Sequence, residues 1–147
     1  MPYSERLVPG PGGWLAVVGF AALVFVMLVV VSPTAAGVAG GGALALLAAA
    51  AWFTSPVVAV ADGTLRAGRA RIPVDLLGEG VVLGRAEVAK AMGPAYDPRS
   101  YTCLRTWAGG AVWIPVLDPE DPTPGWLVST RRPQALRAAI DAARTRD

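Results

Sequence analysis

WLVSTRRPQALRAAI, residues 126–140, sets Arg131 and Arg132 where a strand gives way to a helix. A helix N-terminus carries unpaired N–H groups and a partial positive charge, so it favours anions and is poorly matched to two cations. Something should offset them. With Thr130 as the cap and Pro133 in the first turn, the guanidinium and backbone N–H groups could converge on a phosphate, for instance a lipid headgroup. The alternatives are pairing with Asp118, Glu120 or Asp121 of the preceding turn, or solvation.

A second basic group, Arg66, Arg69 and Arg71, could contact anionic lipid, each residue contributing roughly 1 kcal/mol close to the surface. The ordinary bias of basic residues toward the cytoplasmic side of a membrane explains the group equally well. Cys103 and Arg105 would share one face of a strand, and a nearby cation can lower a thiol pKa. The chain has no histidine to act as a base, and a lone strand cysteine is expected to be a small buried hydrophobe. The lack of histidine also excludes histidine triads and the usual zinc sites, and one cysteine excludes four-cysteine sites and an intramolecular disulfide.

DPEDPTP, residues 118–124, offers three carboxylates without the spacing of a calcium loop and reads as a solvated turn. GEGVVLG, residues 78–84, contains a G-x-G with neither a directly following helix nor a phosphate-binding lysine, so it reads as turns flanking a strand. Trp107, Trp113 and Trp126 could line a groove or pack in a core. A net charge of +2 does not point to nucleic acid. No catalytic residue, metal or cofactor is assigned, and a non-enzymatic role is expected.

The elements that must position these groups fall into two parts. No charged residue lies between Arg6 and Asp62; setting Glu5 and Arg6 aside from totals of 11 acidic and 13 basic residues leaves 10 and 12 from Asp62 onward. WLAVVGFAALVFVMLVVV, residues 14–31, is roughly 27 Å long as a helix, enough to span a bilayer. Ser32, Pro33 and Thr34 break it, and the alanine-rich run 35–53 reads as a second, weaker span. In that run Gly37, Gly41, Ala45 and Ala49 recur every four residues, a small face for helix packing within the hairpin or between protomers.

Trp14 and Trp52 would mark one interface of this hairpin, with Arg6, Arg66, Arg69 and Arg71 on the same side. The expected location is therefore the cell membrane, multi-pass, with both termini and the soluble domain cytoplasmic. A signal peptide ending at SPTAAG is the rival reading; the long apolar run, Glu5 beside Arg6 and the second run count against it.

Residues 1–56 thus form an N-terminal segment and helical hairpin, and residues 57–147 a soluble α+β domain. VVAVADGTLRAGRARIPV, residues 57–74, carries a hairpin turn at Asp62-Gly63. Residues 80–84 read as a strand, 85–93 as a short helix, and 94–100 as a proline-rich loop. Strands are expected at 101–107 and 111–117 about Gly109-Gly110, and at 125–130. The closing helix, 133–144, presents Leu136, Ala139, Ile140 and Ala143 on one face. Antiparallel strands followed by one amphipathic helix predict a small β-barrel or sandwich capped by that helix.

YSERL, VADGTLRAGRARIPVDLLGE and WLVSTRRPQALRAAI resemble an actinobacterial family of small membrane proteins known as domain of unknown function 3093, over nearly the whole chain. The hairpin-then-strands order is also similar to bacterial membrane proteins with a pleckstrin-homology-like domain. Neither resemblance implies an activity. The expected role is a membrane-anchored binding or scaffold module whose partners are the bilayer and a protein or second copy meeting the spans. The alternative is an accessory subunit of a larger membrane enzyme or transporter complex; an anionic-lipid headgroup sensor and a stand-alone enzyme rank below it.

Overall fold

The computed structural model describes residues 3–94 and 96–145. It divides into two compact units, one of residues 8–55 and one made of the chain on either side of that stretch.

The first unit is a pair of apolar helices, α1 (Pro11–Val29) and α2 (Pro33–Phe53). Both begin two or three residues earlier than the apolar runs suggest, because proline fits the first helical turn, where its missing N–H costs nothing. Val31 and Ser32 turn the chain by donating to the Leu28 carbonyl, and Ser32 caps α2 by accepting from the Ala35 amide. By length and composition each helix suffices to cross a membrane.

The helices meet through Ala36 and Gly40, both buried; a Cβ built on Gly40 would lie 3.1 Å from the Phe25 Cβ and 3.4 Å from the Ala21 carbonyl oxygen. Within the hairpin, therefore, the contact is not made by the stripe Gly37, Gly41, Ala45 and Ala49. That stripe is exposed, and a Cβ on Gly37 or Gly41 would meet nothing within 4 Å.

The second unit holds two four-stranded sheets and two helices. Sheet one is an antiparallel run of β1 (Tyr3–Arg6), β2 (Val57–Ala61), β3 (Thr64–Ala67) and β4 (Ala70–Pro73). Its first strand precedes the helices in sequence, so residues 3–6, expected in the N-terminal segment ahead of the hairpin, pair with β2 in the sheet unit. Tyr3 stands opposite Val60 and Arg6 opposite Val57, and the Leu7 amide donates to the Pro56 carbonyl at 3.0 Å. The helical pair is thus an insertion into the connection of a β-hairpin. Asp62 and Gly63 both have positive φ, 49° and 65°, as the tight turn between β2 and β3 requires.

Sheet two contains β5 (Val81–Gly84), β6 (Tyr101–Cys103), β7 (Gly110–Pro115) and β8 (Gly125–Thr130) in the order β5-β7-β8-β6. Two expectations fail here. The strand expected over 101–107 ends at Cys103, because the Arg105 amide donates to the Ser129 hydroxyl and Ala108 closes a turn on the Arg105 carbonyl. The expected 101–107/111–117 hairpin does not form; β6 instead runs parallel to β8. Both sheets stay open, so there is no closed barrel.

One core joins the sheets to α4 (Pro133–Arg144). Leu7, Val58, Val60, Leu65 and Ile72 come from sheet one and its flank, Val112, Ile114, Trp126 and Val128 from sheet two, and Leu136 and Ile140 from the helix. The Tyr101 hydroxyl, donating to the Ala67 carbonyl at 2.7 Å, ties the two sheets together. The short helix α3 (Arg85–Ala91) buries no residue; its Glu87 carboxylate accepts from the Gly84 amide at its start. Ala95 of the expected 94–100 loop lies outside the described residues.

Two outcomes are expected from this architecture. Replacing residues 8–55 with a short glycine-containing turn should leave a folded, soluble domain, whereas residues 57–147 alone, lacking the fully buried Leu7, should be less stable by about 2–5 kcal/mol in denaturant titration. In the full chain in detergent, Gly40→Ile should lower the unfolding temperature of the helical pair while Gly41→Ile should leave it in place.

Candidate functional site

The start of α4 answers the electrostatic question posed by Arg131 and Arg132. The offsetting anion is Glu5, delivered by β1. Its Oε2 accepts from the Thr130 hydroxyl at 2.6 Å and the Tyr3 hydroxyl at 2.7 Å, and its Oε1 accepts from the Arg131 amide at 3.2 Å. Thr130, fully buried, in turn accepts from the Arg132 amide at 3.0 Å. Thr130 therefore supports the turn from one residue before the cap; the cap position belongs to Arg132, whose side chain makes no capping bond.

The amides of residues 131 and 132 are thus occupied by groups of the chain itself, and both arginine side chains are exposed. The acidic turn is not the source of the carboxylate. Asp118 accepts from the Glu120 amide and Asp121 from the Thr123 amide, which holds the Asp121 carboxyl below its usual range. Tyr3 is pushed up to about 12, chiefly by burial, with the neighbouring Glu5 charge adding to the rise.

Cys103 is buried between the sheets, and burial raises its thiol pKa against a smaller lowering by Arg105. The thiol is therefore protonated near neutral pH, the opposite of an activated nucleophile. The three tryptophans go to three places. Trp126 is in the core, tilted against Tyr101; Trp113 borders a surface cleft; Trp107 donates to the Leu7 carbonyl and lies beneath the Arg105 guanidinium.

Arg66, Arg69 and Arg71 are exposed, the first and last on the outward side of sheet one. Arg66 and Arg71 are directly opposite each other on β3 and β4, and Arg69 is in the turn that joins these strands. Among the described residues none of the three has a carboxylate within ion-pair distance, whereas Arg99 pairs with Asp97, and on α4 Arg137 pairs with Glu79 and Asp141, and Arg144 with Asp141.

Sequence reasoning missed a further feature. On the face of sheet two away from the core, α3 stands between two clefts of about 400 and 380 Å³. Arg85, Val88, Met92, Leu104 and Arg105 border the first, with Ser129 at its base; Val81, Tyr96, Trp113 and Leu127 border the second. The available signal was GWLVST, which is buried along its whole length instead of alternating, as a strand covered on both faces must be.

These features define a two-sheet α+β domain interrupted by an apolar helical pair. The chain belongs to the family described as protein of unknown function (DUF3093), whose model matches residues 2–140. No curated protein and no solved structure matches it.

The Glu5 arrangement has a direct test in the domain whose insert is replaced by a turn. Glu5→Ala should lower its unfolding free energy by roughly 2–3 kcal/mol, since three donors lose a charged acceptor, while Glu120→Ala should change it by less than about 0.5 kcal/mol. Because the folded state holds the Tyr3 proton more tightly than the unfolded chain, its contribution is complete below pH 10 and lost as pH rises toward 12. Tyr3→Phe should flatten that alkaline fall in a series of denaturant titrations.

Proposed function

We propose that the protein is a membrane-anchored, non-catalytic binding module, with α1 and α2 crossing the bilayer as a hairpin and both termini and the sheet domain on the cytoplasmic side. The observation that carries this reading is the pairing of β1 with β2 across the insert. Sheet one can form only if both ends of the helical pair emerge on the same side, which a two-span hairpin satisfies and a single span does not. The outward apolar character of the helices supports it: Leu15, Met27 and Leu46 are each more than 70% exposed, which water would penalise and lipid would not.

The cytoplasmic assignment rests on Arg6, Arg66, Arg69 and Arg71 beside the helix ends and on the uncharged turn. Two open sheets about one core, with an amphipathic C-terminal helix, support a pleckstrin-homology-like reading of the domain; the parallel β6 is a departure from it. The exposed stripe Gly37, Gly41, Ala45 and Ala49 favours a second reading, in which the anchor also packs against a span of another protein or a second copy. An accessory-subunit role would be one form of this.

Single cysteines introduced in a Cys103→Ala background test the topology with a membrane-impermeant maleimide. Thr34→Cys should react in intact cells and Glu120→Cys only after the membrane is opened. Reaction of Glu120→Cys in intact cells would reverse the orientation, and equal reaction of the two would remove the spanning hairpin.

A further inference from the structure

We propose that the outward face of sheet one is a binding surface for the phosphate groups of anionic lipids in the membrane that holds the helices, an inference that rests on the membrane reading above. The alternation of the four strands sorts their residues into two faces. Tyr3, Glu5, Val58, Val60, Leu65, Ala67 and Ile72 turn toward the core, and Ser4, Arg6, Ala59, Thr64, Arg66 and Arg71 turn away from it.

Among the described residues of the strands the outward face carries arginines and no carboxylate, because Glu5 points inward and Asp62 lies in the turn at the other end of the strands. Arg66 and Arg71 occupy directly opposed positions, where like charges destabilise a sheet and an opposite charge would have stabilised it. With opposed Cβ atoms roughly 5 Å apart, their two guanidinium groups can close on one phosphate, each through paired N–H donors. The Arg66 Nε is held by the Gly68 carbonyl, which sets that side chain along the sheet end.

Position supplies the source of the phosphate. Arg6 pairs with Val57 at the last register position of β1 and β2, one residue from Leu7 and Pro56, where the chain leaves for the helical insert and returns from it. Gly68, whose amide donates to the Val57 carbonyl, brings the Arg69 turn to that same end of the sheet. Between the arginines the face is shallow, with Ser4 and Ala59 side by side, so nothing bulky holds a flat headgroup layer away. Only residues 7–10 and 54–56 separate this end of the sheet from α1 and α2, so a bilayer that holds the insert brings its phosphates within a few residues of chain. By contrast, the two amides just before α4 are already taken, that of Arg131 by Glu5 and that of Arg132 by Thr130.

The full chain, placed in lipid discs of phosphatidylcholine alone or with increasing phosphatidylglycerol, provides the test through hydrogen exchange of residues 64–73. Protection should increase with the phosphatidylglycerol fraction and weaken in high salt. Arg66→Gln with Arg71→Gln should need roughly tenfold or more anionic lipid for the same protection, while unfolding at a temperature no lower than the parent because the opposed charges are gone. Arg66→Lys with Arg71→Lys should retain part of the effect, through charge without the paired donors. Equal exchange in neutral and anionic discs would overturn the inference and leave the membrane reading standing. A chain that enters discs of neither composition would overturn the membrane reading and this inference with it.

Discussion

The hydrogen bond from the Leu7 amide to the Pro56 carbonyl closes a sheet across an interruption of two whole helices. Everything else in the sheet domain depends on that closure. β1 supplies the edge of sheet one, Leu7 plugs the core, and Glu5 and Tyr3 reach α4 at the far end of the sequence. The cost of bringing distant segments together grows only slowly with the length between them, and a rigid helical pair whose ends return side by side reduces it further. An insertion here is cheap for that reason.

The same strand resolves a conflict inside the second unit. An N-terminal helix turn bearing two arginines needs an anion, and a phosphate would have made α4 a ligand site. Glu5 provides the charge from within, at the cost of ordering residues 3–6. Its carboxylate satisfies a buried hydroxyl, a phenol and an amide at once, an arrangement that a solvated or distant carboxylate could not match.

Local signals were legible where local physics decides. The break at Ser32-Pro33, the Asp62-Gly63 turn and the apolar face of α4 with Leu136 and Ile140 follow from proline geometry, positive φ and helical periodicity. What was not legible depends on partners far away in sequence. Glu5 lies 125 residues from Thr130, with no pattern linking them. YTCLRTW has the composition of a long strand, but it pairs parallel to β8 only over 101–103, and the Arg105 amide then turns to the Ser129 hydroxyl. The small-residue stripe was visible and the contacting face was not, because Ala36 and Gly40 follow the same four-residue spacing one position earlier, and only packing against Phe25 separates the two.

The fate of the arginines separates structural from available charge. Those of α4 and the turn that precedes it belong to the fold: Arg137 and Arg144 hold carboxylates, and the backbone of Arg131 holds Glu5. Arg66 and Arg71 stand in an arrangement that a sheet designed only for stability would avoid, opposed and with no carboxylate among the described residues in ion-pair reach, while Glu5 of the same sheet points to the other face. A carboxylate at Ala59, the outward residue of β2 directly opposite Arg66, would relieve the repulsion without disturbing the core. That so small a change is not used is what the proposed phosphate contact of Arg66 and Arg71 would explain.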